Sequence, residues 1–229
     1  LEDSFKLIEK CKELNMTLMG VSFHVGSGCL SGVAWVEALK LARKVFDEAI
    51  RVGFDMTLLD LGGGWPGTEN GPLTFADIGT EISPVIDELF PPHVKVIGEP
   101  GRFFCTEASS LAVYIISKRE RTNPQNPDET ETQYYISDGV YGSFNCIIFD
   151  HAKPEPSFLV DVSDRRLLPS CIFGPTCDSM DLVVKKTLLP EHFPGEWLLF
   201  PNMGAYTRAA GSEFNGFSLP VCYYVMTSN

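Results

Sequence analysis

Apolar and polar positions follow two different periods along this chain. In the first half, three short apolar runs over 18–23, 56–61 and 94–98 read as buried parallel strands. Each ends in a glycine-rich turn: His24-Val25-Gly26-Ser27-Gly28, then Gly62-Gly63-Gly64, then Glu99-Pro100-Gly101-Arg102. Residues 34–52 place Val36, Leu39, Leu41, Ala42, Val45, Phe46 and Ile50 on one broad face, with Lys40, Arg43, Lys44 and Asp47 opposite, the period of an amphipathic helix. Residues 78–90 repeat the pattern and stop at Pro91-Pro92, and a leading helix over 4–14 precedes the first strand. Right-handed crossovers would align the three strand ends on one sheet edge, where α/β folds expose backbone N–H groups and place their chemistry. An eight-unit barrel needs about 250 residues, so this region is expected to be the end of a barrel or a small open sheet.

Beyond residue 110 the texture changes to β-rich runs over 111–117, 133–137, 146–149, 159–162, 182–184, 197–200 and 221–226, separated by Pro, Gly, Asn and Asp turns. The polar segment 119–132, RERTNPQNPDETET, holds two prolines and is expected to be a mobile loop. The chain therefore reads as an α/β region over 1–110 followed by an all-β domain over 111–229.

Composition narrows the function classes. The 229 residues are 44% hydrophobic and 21% charged, ordinary for a globular protein, and no run approaches eighteen consecutive apolar residues, so no membrane span is expected. Thirty acidic residues against 18 basic ones leave a net charge of −12, which repels nucleic acid and attracts a cationic small molecule. The seven cysteines are odd in number and none has C-x-x-C spacing, which argues against a disulfide framework or a structural zinc and for a reducing, cytoplasmic setting. With histidines only at 24, 93, 151 and 192, no H-x-x-x-H metal motif can be built, so no metal is expected.

The three turns together offer a phosphate cradle: backbone N–H groups from Gly62–Gly64, a hydroxyl from Ser27 and a cation from Arg102. A glycine triplet also serves simply to make a tight turn. His24 and Glu99 each follow a strand directly and should project into the same mouth, although His24 could be purely structural and Glu99 could pair with Arg102. A flat ring above, a carboxylate below and a phosphate clamp beside are what pyridoxal 5'-phosphate requires, since a carboxylate keeps the pyridine nitrogen protonated. In the β half, Cys177 beside Asp178 could donate a proton and hold a cation. Equally, Asp178 could cap an ordinary turn. Asp150 and Tyr206 are ambiguous taken singly.

Six stretches and a seventh short one carry a resemblance: GVSFHVGSGC (20–29), LLDLGGGWPG (58–67), GEPGRFF (98–104), SDGVYGSFNCIIFDHA (137–152), FGPTCDSMD (173–181), NMGAYT (202–207) and FNGF (214–217). In this order they resemble the eukaryotic ornithine decarboxylase family, pyridoxal phosphate-dependent enzymes with an alanine-racemase-like barrel. The resemblance implies the C-terminal part of a TIM-type (β/α)8 barrel followed by a β-sandwich or β-barrel-like domain. It implies that His24 stacks on the cofactor ring and that Glu99 pairs with its nitrogen. Ser27, Gly62, Gly63, Gly64, Gly101, Arg102 and Tyr206 hold its phosphate. Cys177 handles the proton added at Cα, and Asp178, Asp150 and the neighbouring Phe149 face the distal ammonium of L-ornithine, the product being putrescine. The family works as a head-to-tail homodimer with shared sites, so Tyr141, Gly204 and Phe214 fall at the interface, and antizyme is a further partner.

Two departures accompany the resemblance. Phe149 stands where the family usually has a tyrosine. The lysine that bears the cofactor lies in an AVKCN-like context in an early barrel strand of the family, and nothing in this chain matches it: Lys6, Lys10 and Lys12 fall on a helix and Lys95 inside a strand. The resemblance therefore implies part of a longer enzyme, without its N-terminal region and inactive by itself. Two alternatives remain. One is a non-catalytic regulator like the antizyme inhibitors. The other is a related decarboxylase of lysine, arginine or diaminopimelate. Asp150 and Asp178 fit a terminal ammonium better than a carboxylate, but ornithine and lysine differ by one methylene, worth only about 1–3 kcal/mol in a pocket.

Overall fold

The computed structural model describes residues 1–123 and 126–226. Two compact units divide between Cys105 and Thr106. In the first, three parallel strands, β1 (Gly20–Ser22), β2 (Leu58–Asp60) and β3 (Lys95–Ile97), lie in the order β1-β2-β3, with Gly20 opposite Leu58 and Leu58 opposite Lys95. The parallel register lines up their C-terminal ends, which is the partial barrel expected from the crossover pattern.

The helices between the strands supply the cover. In α2 (Gly32–Val52), Trp35, Leu39, Ala42, Phe46, Ala49 and Val52 recur at three- and four-residue spacing and are all buried. They pack with Leu59 of the central strand, Ile78 and Ile82 of α3 (Phe75–Leu89), and Trp65 and Phe90. Gly53 stops α2 in the left-handed region, where its N–H bonds the carbonyls of Ala49 and Ile50. The third helix begins at Phe75 rather than at residue 78, because Thr74 and Asp77 form a reciprocal capping box. By contrast α1 (Glu2–Glu13) buries only Ile8, about 1.5–3 kcal/mol of apolar burial, so α2 dominates this core. A short α4 (Gly101–Cys105) follows β3 directly.

The second unit is a six-stranded sheet with the order β6-β9-β4-β5-β7-β8. Its strands are β4 (Leu111–Asn123), β5 (Asn126–Ile136), β6 (Ser157–Phe158), β7 (Leu167–Phe173), β8 (Leu182–Pro190) and β9 (Trp197–Phe200). Among the described residues of this unit, only β5 and β7 pair in parallel. Val113, Ile115, Tyr134, Ile136, Phe144, Ile172, Leu198 and Phe200 form its core.

Four expectations are corrected here. The polar stretch over 119–132 is strand on both sides of residues 124 and 125, which lie outside the described residues. Its cross-strand pairs set Arg121 opposite Glu131 and Thr122 opposite Thr130, so charge complementarity and β-branching outweigh polarity. The run 146–149 is not a strand but the one-turn helix α5 (Cys146–Phe149), which drops Cys146 into the core. Four apolar residues carry no period that separates the two forms. At 159–162 the pairing residues are instead Ser157 and Phe158, opposite Leu199 and Leu198, while Leu159 and Val160 are exposed. No strand forms over 221–226, where Val221, Tyr223, Tyr224, Val225 and Met226 are exposed. The strand β7, with Pro169 inside it, is not among the expected runs; its parallel ladder to β5 starts only after the proline, at Ser170.

One buried group makes this unit sensitive to acid. The His192 ring is buried against Phe158, 5.0 Å between centroids, and against the edge of Tyr134, whose hydroxyl accepts the His192 backbone N–H. Nδ1 lies 2.5 Å from the Pro190 carbonyl, which can only accept, so Nδ1 carries the proton. Nε2 is buried and has no hydrogen-bond partner among the described residues. Burial accordingly holds the imidazole below its ordinary pKa. The unfolded chain then binds the extra proton first, so the stability is complete above about pH 6.5 and is lost as the pH falls below it. Chemical denaturation at pH 7.5 and 5.5 should show the parent losing more stability than His192→Phe over that interval.

Candidate active site

The turns after β1, β2 and β3 come together through named bonds. The ladder runs on past the strands, with the Phe23 N–H to Asp60 O at 3.1 Å and the Leu61 N–H to Ile97 O at 2.9 Å. At Gly62 three loops then meet. Its carbonyl accepts from the Glu99 N–H at 2.9 Å and from the Trp65 indole N–H at 2.8 Å, and its own N–H donates to Asp60 Oδ1 at 2.9 Å. Only glycine fits there: φ is +61°, and a Cβ would stand 1.8 Å from the Phe23 carbonyl oxygen.

Gly63 makes room for the imidazole. A Cβ on it would lie 2.6 Å from His24 Nε2, so the ring rests against the glycine turn. The Gly26 N–H donates to His24 Nδ1 at 2.8 Å, which fixes the proton of the neutral ring on Nε2. Arg102, in the first turn of α4, donates from Nη2 to Ser27 Oγ at 2.8 Å across 75 residues of sequence. The structure therefore brings His24, Ser27, Gly62–Gly64 and Arg102 into one cluster. Glu99 joins by its backbone, with its carbonyl accepting from the Gly101 N–H at 2.8 Å and its side chain exposed.

These groups fit a phosphorylated heterocycle. A guanidinium already directed at a hydroxyl suits a phosphate, the glycine turn has no Cβ to obstruct an anion, and the imidazole offers a flat face.

The second unit holds its own group of predicted residues. The Tyr141 hydroxyl donates to Asp178 Oδ2, and its ring stacks on Phe214 at 4.2 Å and 26°. Asp178 Oδ1 accepts the Met180 N–H at 2.9 Å, so Asp178 does cap its own turn, with its other oxygen engaged by the phenol. That backbone bond, followed by the bond from Tyr141, holds the Asp178 carboxyl below its ordinary pKa. The same carboxylate raises the Tyr141 phenol. Cys177 is exposed beside it.

Asp150 sits at the C-terminal end of α5, its N–H bonded to Cys146 O, and Phe149 before it is exposed. Tyr206 is exposed and held at φ +56° within a turn pinned by the Met203 N–H to Ser109 O, the Gly204 N–H to Thr106 O and the Thr207 hydroxyl to Met203 O. Two features escaped sequence reasoning, the Tyr141–Asp178 bond and the buried Asp181. The available signal for Asp181 was its position three residues after Asp178, where a turn closes on itself.

A family model described as "Pyridoxal-dependent decarboxylase, pyridoxal binding domain" matches residues 1–106. The chain is 50% identical to the ornithine decarboxylase of Cricetulus griseus over 234 residues, covering 99% of this chain and 51% of that protein. It is 46% identical to antizyme inhibitor 2 of Xenopus laevis over 234 residues, again 99% of this chain and 51% of the relative. Among solved structures, the arginine decarboxylase of Paramecium bursaria Chlorella virus bound to agmatine superposes with a TM-score of 0.84 at 35% identity, covering 94% of this chain and 57% of that one. The chain thus spans about half the length of the curated relatives it matches. Residues 1–106 are similar to the pyridoxal-binding domain of the pyridoxal-dependent decarboxylases, and the chain as a whole matches about half of an ornithine decarboxylase.

Proposed function

We propose that this chain is part of a pyridoxal phosphate-dependent decarboxylase that converts L-ornithine to putrescine, working in the cytoplasm as a homodimer with shared sites and open to regulation by antizyme. The observation that carries this reading is the Arg102–Ser27 bond beside the Gly62–Gly64 turn and His24, at the ends of three parallel strands.

When bound, the coenzyme supplies an electron sink for the pair of electrons left as CO2 departs. In the first unit, Arg102, Ser27, Gly101 and the Gly62–Gly64 backbone would hold its phosphate, His24 would cover one face of the ring, and the Glu99 carboxylate would keep the ring nitrogen protonated. For the second unit, taken by itself, the resemblance implies a phosphate-binding hydroxyl on Tyr206, a proton-delivering thiol on Cys177 and carboxylates for a distal ammonium on Asp178 and Asp150. The lowered pKa of Asp178 suits that task, because an ionised carboxylate is what attracts a cation. Tyr141, Gly204 and Phe214 are assigned to the dimer interface. The net charge of −12 favours a diamine.

Two experiments test this reading. In equilibrium dialysis, Arg102→Ala should weaken pyridoxal phosphate binding by about 1.5–3 kcal/mol, the range for a bond to a charged group. Gly63→Ala, which displaces only a side chain, should weaken binding with its melting temperature kept. Gly62→Ala, which meets backbone, should lower the melting temperature itself. The assignment of activity is tested by a chimera in which the half of the Cricetulus griseus enzyme that this chain does not match is joined ahead of it. CO2 release from L-ornithine by the chimera and not by the 229-residue chain alone is expected; a folded chimera that releases none, as a non-catalytic regulator would, overturns it.

A further inference from the structure

The loop carrying Cys177 and Asp178 joins β7 to β8 and is closed by a single residue. Its ends meet where the Gly174 N–H donates to Asp181 O at 2.7 Å and the Asp181 N–H donates to Asp178 O at 3.0 Å. The Asp181 side chain then ties this loop to another. Only 1% of the residue is exposed, and its two carboxylate oxygens serve two separate segments. Oδ1 accepts the Val140 N–H at 2.8 Å, and Oδ2 accepts the Thr176 N–H at 3.0 Å.

The surroundings are shaped to the carboxylate. A Cβ on Gly139 would stand 2.0 Å from Asp181 Oδ1, and one on Gly174 would stand 2.2 Å from it. On the other side of the 138–143 loop a second buried carboxylate, Asp138, accepts the N–H groups of Gly139 at 2.8 Å and Ser143 at 3.1 Å. Val140, held by Asp181, immediately precedes Tyr141, whose hydroxyl bonds Asp178.

We infer that Asp181 is a positioning residue: its carboxylate clamps the Cys177–Asp178 loop to the Tyr141 loop and so fixes where the thiol and the substrate-facing carboxylate are presented. Its bearing on turnover rests on the roles proposed for Cys177 and Asp178; the clamp itself does not. Neither conservative change can replace it. Asparagine offers an NH2 where the second N–H needs an acceptor, and glutamate drives an extra methylene into Gly139 and Gly174.

The test uses the full chain and needs neither cofactor nor turnover. Amide hydrogen exchange should find Val140 and Thr176 protected although both lie outside the strand ladders. In Asp181→Asn at least one of them should exchange about tenfold faster or more. Because the Asp181 charge also raises the phenol directly, the spectrophotometric titration of Tyr141, isolated by difference from Tyr141→Phe, is read in Gly139→Ala as well, which keeps that charge and crowds the same oxygen. In both variants it should fall from above the ordinary tyrosine range toward about 10. Leu198→Ala, which empties a core position of the same unit, should lower the melting temperature and leave that titration in place. Should Asp181→Asn fail to fold, Gly139→Ala crowds the same oxygen and should shift Val140 exchange and the Tyr141 titration in the same directions. The inference is overturned if Val140 and Thr176 are unprotected in the parent, if Asp181→Asn or Gly139→Ala leaves the titration unmoved, or if Leu198→Ala moves it equally. A chimera without CO2 release would overturn the decarboxylase reading and leave this clamp standing.

Discussion

The carbonyl of Gly62 is shared by two donors from different loops, the Glu99 backbone and the Trp65 indole, while the N–H of the same residue returns to Asp60. The arrangement works because the Phe23 carbonyl fills the space where a side chain would be, so the first turn is packed against the second. The His24 ring and the Ser27–Arg102 bond sit on that platform. In energetic terms each hydrogen bond is worth about 1 kcal/mol net, but breaking the arrangement leaves buried donors unpaired at about 1–3 kcal/mol each. A loop cluster built this way is either fully formed or lost.

The helices and the parallel strands were legible because their signals are local and repeated. In α2 the period places Leu39, Ala42 and Phe46 on the buried face, but Trp35 falls outside the expected face and Leu41 and Ile50, included in it, are exposed; the glycine turns mark the strand ends. What could not be read depended on partners distant in sequence. The charges of 119–132 look like a solvated loop until Arg121 is set opposite Glu131 in a hairpin. The CIIF run became a helical turn because Cys146 had a core to enter. The runs over 159–162 and 221–226 have strand propensity, yet pairing, which propensity does not encode, went elsewhere or was absent among the described residues.

The candidate site divides along the same line. His24, Ser27, Gly62–Gly64 and Arg102 were legible as a cluster because each ends or follows a strand of one parallel sheet. Asp181 was not, since an aspartate that accepts only backbone N–H groups leaves no pattern in side-chain chemistry. Asp178 was read as two competing possibilities, a turn cap and a cation holder, and its two oxygens allow the first without consuming both lone-pair sets.

The indole of Trp65 has one further use. It is bonded to the Gly62 carbonyl, lies 4.2 Å from the ring of Trp35 and 4.6 Å from that of Phe75, while the third tryptophan, Trp197, belongs to the other unit beside Tyr114. The glycine turn thus carries its own chromophore, wired to the carbonyl that holds it in place. Emission from this indole pair reports directly on whether that turn is intact, without any label being introduced.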